Sequence, residues 1–258
     1  MALIDRFRRR TARDNTAPDN TTGEGTAREQ AAHEQAAHEQ AAREQAARAQ
    51  LTRDNTMRDH AAVGTFIDEQ SFHLAQGCVQ DYARLRVGAD ALLADASFAV
   101  ALDKACWEGY PRALAMVGTV VESLLRPHAG DNLQASQLGL TATILENFDR
   151  RPVPPVIGDV DWRAARTDLE RSLGDFARAR PKTADAVAED HSSFYLAIMP
   201  LHPKLGADDF PALRNQLKRS LLQIQETFVQ RADLPALAGE LMAQKPNVEA
   251  SDASSALS

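Results

Sequence analysis

Cysteine is almost absent from this chain: there are two in 258 residues, Cys78 and Cys106. They form no CxxC pair and sit in apolar helical patterns, so they read as buried thiols of a reducing compartment, with a single bridge between them as the alternative. Aromatic residues are few, at 5%, with two Trp and three Tyr. No stretch approaches the roughly 18 consecutive apolar residues that a membrane-spanning helix needs. There is no GxGxxG or Walker lysine motif to hold a phosphate, no HExxH or acidic calcium loop to hold a metal, and no GxSxG elbow. Strand signals are missing too, with neither apolar alternation nor Asn-Gly turns. No metal and no cofactor is therefore expected.

What is present is charge, and it is unevenly placed. The formal charge is -7, yet residues 1–60 hold ten Arg and ten acids, so the remainder, with 19 basic and 26 acidic groups, carries the whole imbalance. A net acidic domain repels phosphate backbones, so nucleic acid is not an expected partner. Met1–Arg10 places its Arg cluster after only Leu3, Ile4 and Phe7. That order is the reverse of a secretory signal, and a cytoplasmic location is the expectation. The same segment could touch an anionic membrane, but three apolar residues give marginal affinity.

From Thr11 the sequence runs in units of five, TARDN, TAPDN, TTGEG, TAREQ, AAHEQ, AAHEQ, AAREQ, AARAQ, LTRDN and TMRDH. A pentapeptide β-helix needs a large apolar residue at the centre of each unit, and these units place Arg, His, Pro or Gly there. A coiled coil needs an apolar seam, whereas a five-residue step advances about 140° around a helix and builds none. Glu29 to His33, Glu34 to His38, Glu39 to Arg43 and Glu44 to Arg48 put acid four residues before base, each pair contributing about 0.2–0.5 kcal/mol. Residues 26–51 are thus expected to be a fraying, solvated helix inside an otherwise disordered tail, 1–60. His33 and His38 fall on different sides of such a helix and make no metal pair.

Apolar density rises at Ala61, and from there the spacing is helical. The pattern predicts helices over about 65–87, 89–108, 112–126 and 131–149. The second is interrupted at Gly109 and Tyr110, the third opens on Pro111 and stops at Pro127, and Asp131 caps the fourth, whose buried set is Leu138, Leu145 and Phe148. Residues 150–160, containing RPVPP, cannot be helical and form the main internal break. Beyond it, Asp161 caps a helix from Trp162 to about 180, with Trp162, Leu169, Leu173 and Phe176 on one face. Thr183 caps one to about 199, Asp208 or Asp209 precedes a long helix to Arg231, and Asp233 opens a short one to about 243. The expected fold is an all-α bundle of about eight helices, in two sub-bundles (61–149 and 161–243, the second packed on the first) with a disordered C-terminal tail, 244–258.

Two clusters carry residue types suited to chemistry or recognition. In KACWEGYPR, Trp107, Glu108, Tyr110 and Arg112 crowd a helix junction, which is the composition of a binding hot spot and equally of a corner that staples two helices. Asp190, His191, Ser192, Ser193 and Tyr195 resemble a hydrolytic set, but adjacent helical residues point about 100° apart and cannot pair as nucleophile and base. His191 is the more simply read as a core histidine bonded to a neighbouring carbonyl. Asp81, Tyr82, Arg84 and Arg86 close the first helix, where they could grip an anionic group but where basic residues also simply favour the helix dipole, and His202 lies in a loop with no second ligand at metal spacing.

The expectation for function is a non-enzymatic partner-binding or scaffold protein, engaging another protein or a second copy of itself through Trp107, Glu108, Tyr110 and Arg112. The alternative is a small-ligand protein or enzyme with a cavity between the two halves, with Glu122, His191 and Tyr195 as polar contacts.

Overall fold

The computed structural model describes residues 56–87, 96–200 and 209–244, with side chains in the first stretch as far as Arg84. The readings made for the pentads before Thr56, for Met1–Arg10, for the start of the 89–108 helix, for His202 and Asp208, for the Arg86 side chain and for the tail after residue 244 lie outside the described residues. The described chain is all-α. In order it forms α1 (His60–Gln76), a π-helical turn (Gly77–Asp81), α2 (Tyr82–Val87), α3 (Ala96–Ala129), a 3-10 turn (Gly130–Asn132), α4 (Leu133–Arg150), α5 (Asp159–Gly174), a 3-10 turn (Asp175–Ala177), α6 (Ala184–Ile198), α7 (Phe210–Arg231) and α8 (Leu234–Ala243). No strand occurs among the described residues, and the one isolated bridge pairs Met57 with Ala232.

The expected second and third helices are one. Pro111 and Pro127 lie inside α3, which runs unbroken for 34 residues. An interior proline removes a backbone hydrogen bond and costs about 3 kcal/mol, a penalty outweighed here by packing. α3 packs against α1, α4, α5, α6, α7 and α8, and every residue from Ala113 to Gly118 is buried. A helix covered on all sides needs an apolar surface all round, and ALAMVG, residues 113–118, supplies it with side chains small enough to admit six neighbours.

The other boundaries follow their caps. Asp59 Oδ1 accepts from Ala62 N at 2.8 Å, Thr183 Oγ1 from Ala186 N at 3.3 Å and Asp233 Oδ1 from Ala236 N at 3.3 Å, each satisfying a first-turn donor. Asp131 does not cap α4, because it is spent in the 3-10 turn and the cap position falls to Asn132, without a side-chain bond. Asp161 lies inside the first turn of α5 behind Gly158, whose φ of 80° is the left-handed conformation glycine adopts without strain. Of the set expected to be buried on α4, Phe148 is buried and Leu145 packs partly against the core, but Leu138 is not. Leu138 is 51% exposed, while Gln137, Gly139, Thr143 and Asn147 are buried. The reason is Gly139, where a β-carbon would stand 2.0 Å from the Leu241 carbonyl oxygen. α8 rests on the backbone of α4 at that point, and only glycine permits it.

The core is shared by the whole described chain, from Met57 through Leu114 and Phe148 to Leu173, Leu221 and Leu241. The proline segment after Arg150 therefore separates helices in sequence without separating their cores. Thr56 to His60, the last pentad, belongs to this fold. Met57 is 5% exposed; its N–H donates to Arg231 O at 2.7 Å and its carbonyl accepts from Asp233 N at 3.0 Å. Residues 56–60, expected to belong to the tail, are thus part of this fold.

Candidate functional site

The aromatic corner is built where α1, α3, α4 and α5 meet. Phe72, Trp107, Tyr110, Phe148 and Trp162 form a continuous set, with Phe148 stacked on Trp162 at 4.3 Å between centroids and Tyr110 stacked on Trp162 at 6.3 Å. Tyr110 is wholly buried and Trp107 partly so. Of the four residues predicted to meet a partner, Tyr110 thus presents no surface at all and Trp107 only part of one.

Behind that corner lies a charged triad that spacing in sequence could not signal. Arg151 donates through Nε and Nη2 to both oxygens of Asp68, at 3.0 and 2.7 Å, and through Nε to the Tyr110 hydroxyl at 3.0 Å; Tyr110 in turn donates to Asp68. The guanidinium also lies over the Phe72 and Tyr110 rings, 4.8 Å from each centroid. Burial first, and then the bond to Asp68, push the Tyr110 phenol well above its ordinary value. It stays protonated, and the triad fastens α1, α3 and the proline segment together instead of moving protons. Asp68, Tyr110 and Arg151 stand 42 and 41 positions apart, and only the fold reveals them.

Glu122, His191 and Tyr195 do not converge. Glu122 Oε1 accepts from Arg126 Nε at 2.9 Å and from Gln137 Nε2 at 2.7 Å, while Arg126 Nη2 and Gln137 Nε2 also donate to Phe176 O, each at 3.0 Å. That network is closed on itself. Tyr195 is fully buried and donates to Gly109 O at 2.9 Å, with its phenol raised by burial. Among the described residues His191 lacks the carbonyl bond expected of it: its Nδ1 is sealed from water with no hydrogen-bond partner among them. Burial pushes its imidazole down to about 4, Arg112 and Lys182 adding to the fall and Asp190 opposing it. Ser192 Oγ donates to Glu189 O, and Asp190 pairs with Lys182 at 2.7 Å, so no nucleophile and base are joined there. Cys78 and Cys106 are unbridged and buried, pushed up to about 12 and about 11, chiefly by burial. Asp81 pairs with Arg84, and Tyr82 donates to Asp209 on the far side of the chain.

The remaining two predicted residues face a cleft. Glu108, Pro111, Arg112 and Ala115 of α3, Ala165, Asp168, Leu169 and Ser172 of α5, and Phe194 of α6 line a cleft of about 100 Å³. Phe194 holds Arg112 in place, with the guanidinium carbon 4.7 Å from the ring centroid. Glu108 pairs with Lys104 at 3.6 Å and Asp168 with Arg171 at 2.5 Å, and Ser172 Oγ donates to Asp168 O at 2.9 Å. Among the described residues no group of three or more metal-ligating side chains gathers, and no helix is long and apolar enough to cross a membrane. Comparison of the chain with protein-family models, with curated proteins and with solved structures finds no match in any of the three.

Proposed function

We propose that this chain is a non-enzymatic helical partner-binding protein and that its binding face is the cleft between α3, α5 and α6, bordered by Glu108 and Arg112. The observation that carries the reading is Arg112 itself, half-buried, held over Phe194 and open to the cleft. Arginine and aromatic side chains in a partly desolvated recess are what concentrates binding energy at protein interfaces. Trp107 and Tyr110 contribute from behind, by fixing the turn of α3 from which Glu108 and Arg112 project. The ligand-carrier alternative draws less support, because Glu122, His191 and Tyr195 lie in separate surroundings. The cleft beside Arg112, at about 100 Å³, is itself below the roughly 300 Å³ at which small-molecule sites begin, so a small molecule is not its proposed occupant.

The reading is tested by placing the photo-crosslinking residue p-benzoylphenylalanine at Ser172, inside the cleft, and at Val229, which is 48% exposed on α7, in the full chain and in its own cells. Adducts of defined mass should form from position 172 and not from position 229. Equal adducts from both positions, or none from either, would remove the proposal.

A further inference from the structure

Around the cleft the charges do not cancel. Glu108 is matched by Lys104 and Asp168 by Arg171, whereas Arg112 has no carboxylate in ion-pair contact among the described residues and rests only on the Phe194 ring. The nearby Lys182 and Asp190 neutralise each other. Arg112 is thus the one charged side chain of the recess without an ion-pair partner among the described residues, in a lining that holds Glu108, Asp168 and Ser172 beside the apolar Pro111, Ala115, Ala165, Leu169 and Phe194. A guanidinium is planar, with paired donors that match a carboxylate edge, and its attraction for an anion grows as water is excluded. Cation–π contact leaves those edge donors free while restricting the side chain's rotation, so less entropy is lost when an anion arrives.

We infer that Arg112 is a carboxylate anchor, and that the cleft takes the side chain of an aspartate or glutamate carried by a partner protein. Size selects this source over a free metabolite. A space of about 100 Å³ holds a carboxylate and one or two methylenes, and a free fragment of that size gains too few contacts to bind tightly alone. On a partner, the same group is one contact within a larger interface. The inference rests on the partner-binding reading above and adds to it the chemistry that is recognised.

The test titrates isotope-labelled full chain with a blocked tripeptide carrying glutamate at its centre, the same tripeptide carrying glutamine, and free glutarate, following the Arg112 Nε–H and the amides of Leu169, Ser172 and Phe194 by NMR. The glutamate peptide should produce saturable shifts at these positions, at least ten-fold tighter than the glutamine peptide. Arg112→Gln should abolish them, and Arg112→Lys, which keeps the charge but not the paired donors, should retain an intermediate response. Equal response to the two peptides, or shifts that survive Arg112→Gln, overturns the anchor. Glutarate binding more tightly than the glutamate peptide overturns the choice of a protein side chain. The comparison of peptides on the unaltered chain stands even if the variants fold poorly. Crosslinking from position 172 separates the two levels: adducts that persist undiminished in Arg112→Gln keep the partner reading and remove the carboxylate, whereas absence of adducts in the unaltered chain removes both.

Discussion

Asp68, Arg151 and His191 set the strongest expectations at the scale of single residues. Asp68 and Arg151 are 22% and 25% exposed at the side chain, so their pairing is shielded more than a surface ion pair. Asp68→Asn should lower stability by about 2 kcal/mol, since it strands the Arg151 charge against aromatic rings. Adding Arg151→Met to that variant should restore part of the loss in urea denaturation, and a double variant no more stable than Asp68→Asn alone would contradict the pairing. For His191 the sign runs the other way from a paired histidine. The unfolded chain binds a proton near 6.5 and the folded one only near 4, so stability falls as pH drops through that window, by about 3 kcal/mol in full. Urea midpoints measured between pH 7 and pH 4.5 should drop less in His191→Gln than in the unaltered chain, and parallel curves would show that His191 is not the group responsible. These residues were hard to read from sequence for different reasons. His191 was visible as an apolar-face histidine but its missing partner was not, and Asp68 and Arg151 gain meaning only from a contact across the fold.

Helices were legible where a local signal decides and misleading where neighbours do. The Trp162, Leu169, Leu173 and Phe176 face is buried as its spacing requires, as are Leu213, Leu217, Leu221, Ile224 and Phe228 on α7; Thr183 and Asp233 cap as their positions indicate. Pro111 misled because a proline preference for first turns competes with packing strong enough to hold proline mid-helix. Leu138 misled because backbone contact at Gly139, not leucine spacing, sets the rotation of α4. Two glycine substitutions separate these influences. Gly139→Ala should cost about 2 kcal/mol, the β-carbon meeting a backbone oxygen that cannot easily move, despite the gain in helix propensity. Gly239→Ala, at an exposed position of α8 with nothing near the new carbon, should raise stability by about 0.5–1 kcal/mol. Thermal melts of the two should shift in opposite directions, and a shared direction would mean that crossing distance does not govern the α4–α8 contact.

For the whole molecule, the all-α class follows from periodicity alone, while the order of packing does not, because any of several amphipathic helices could cover α3. The entrance to the fold was also hidden, since Met57 looks like one more pentad position. A chain beginning at Thr56 should exceed one beginning at His60 by about 3 kcal/mol, from the burial of Met57 and the Asp59 cap together; equal urea midpoints would show that the bridge to Ala232 contributes nothing. The seat of α8 on α3 and α4 has a bearing on biosynthesis. A nascent chain emerging from the ribosome carries α3 and α4 roughly a hundred residues before the helix that covers them, so their apolar flanks stay open to chaperones until translation has passed Ala243.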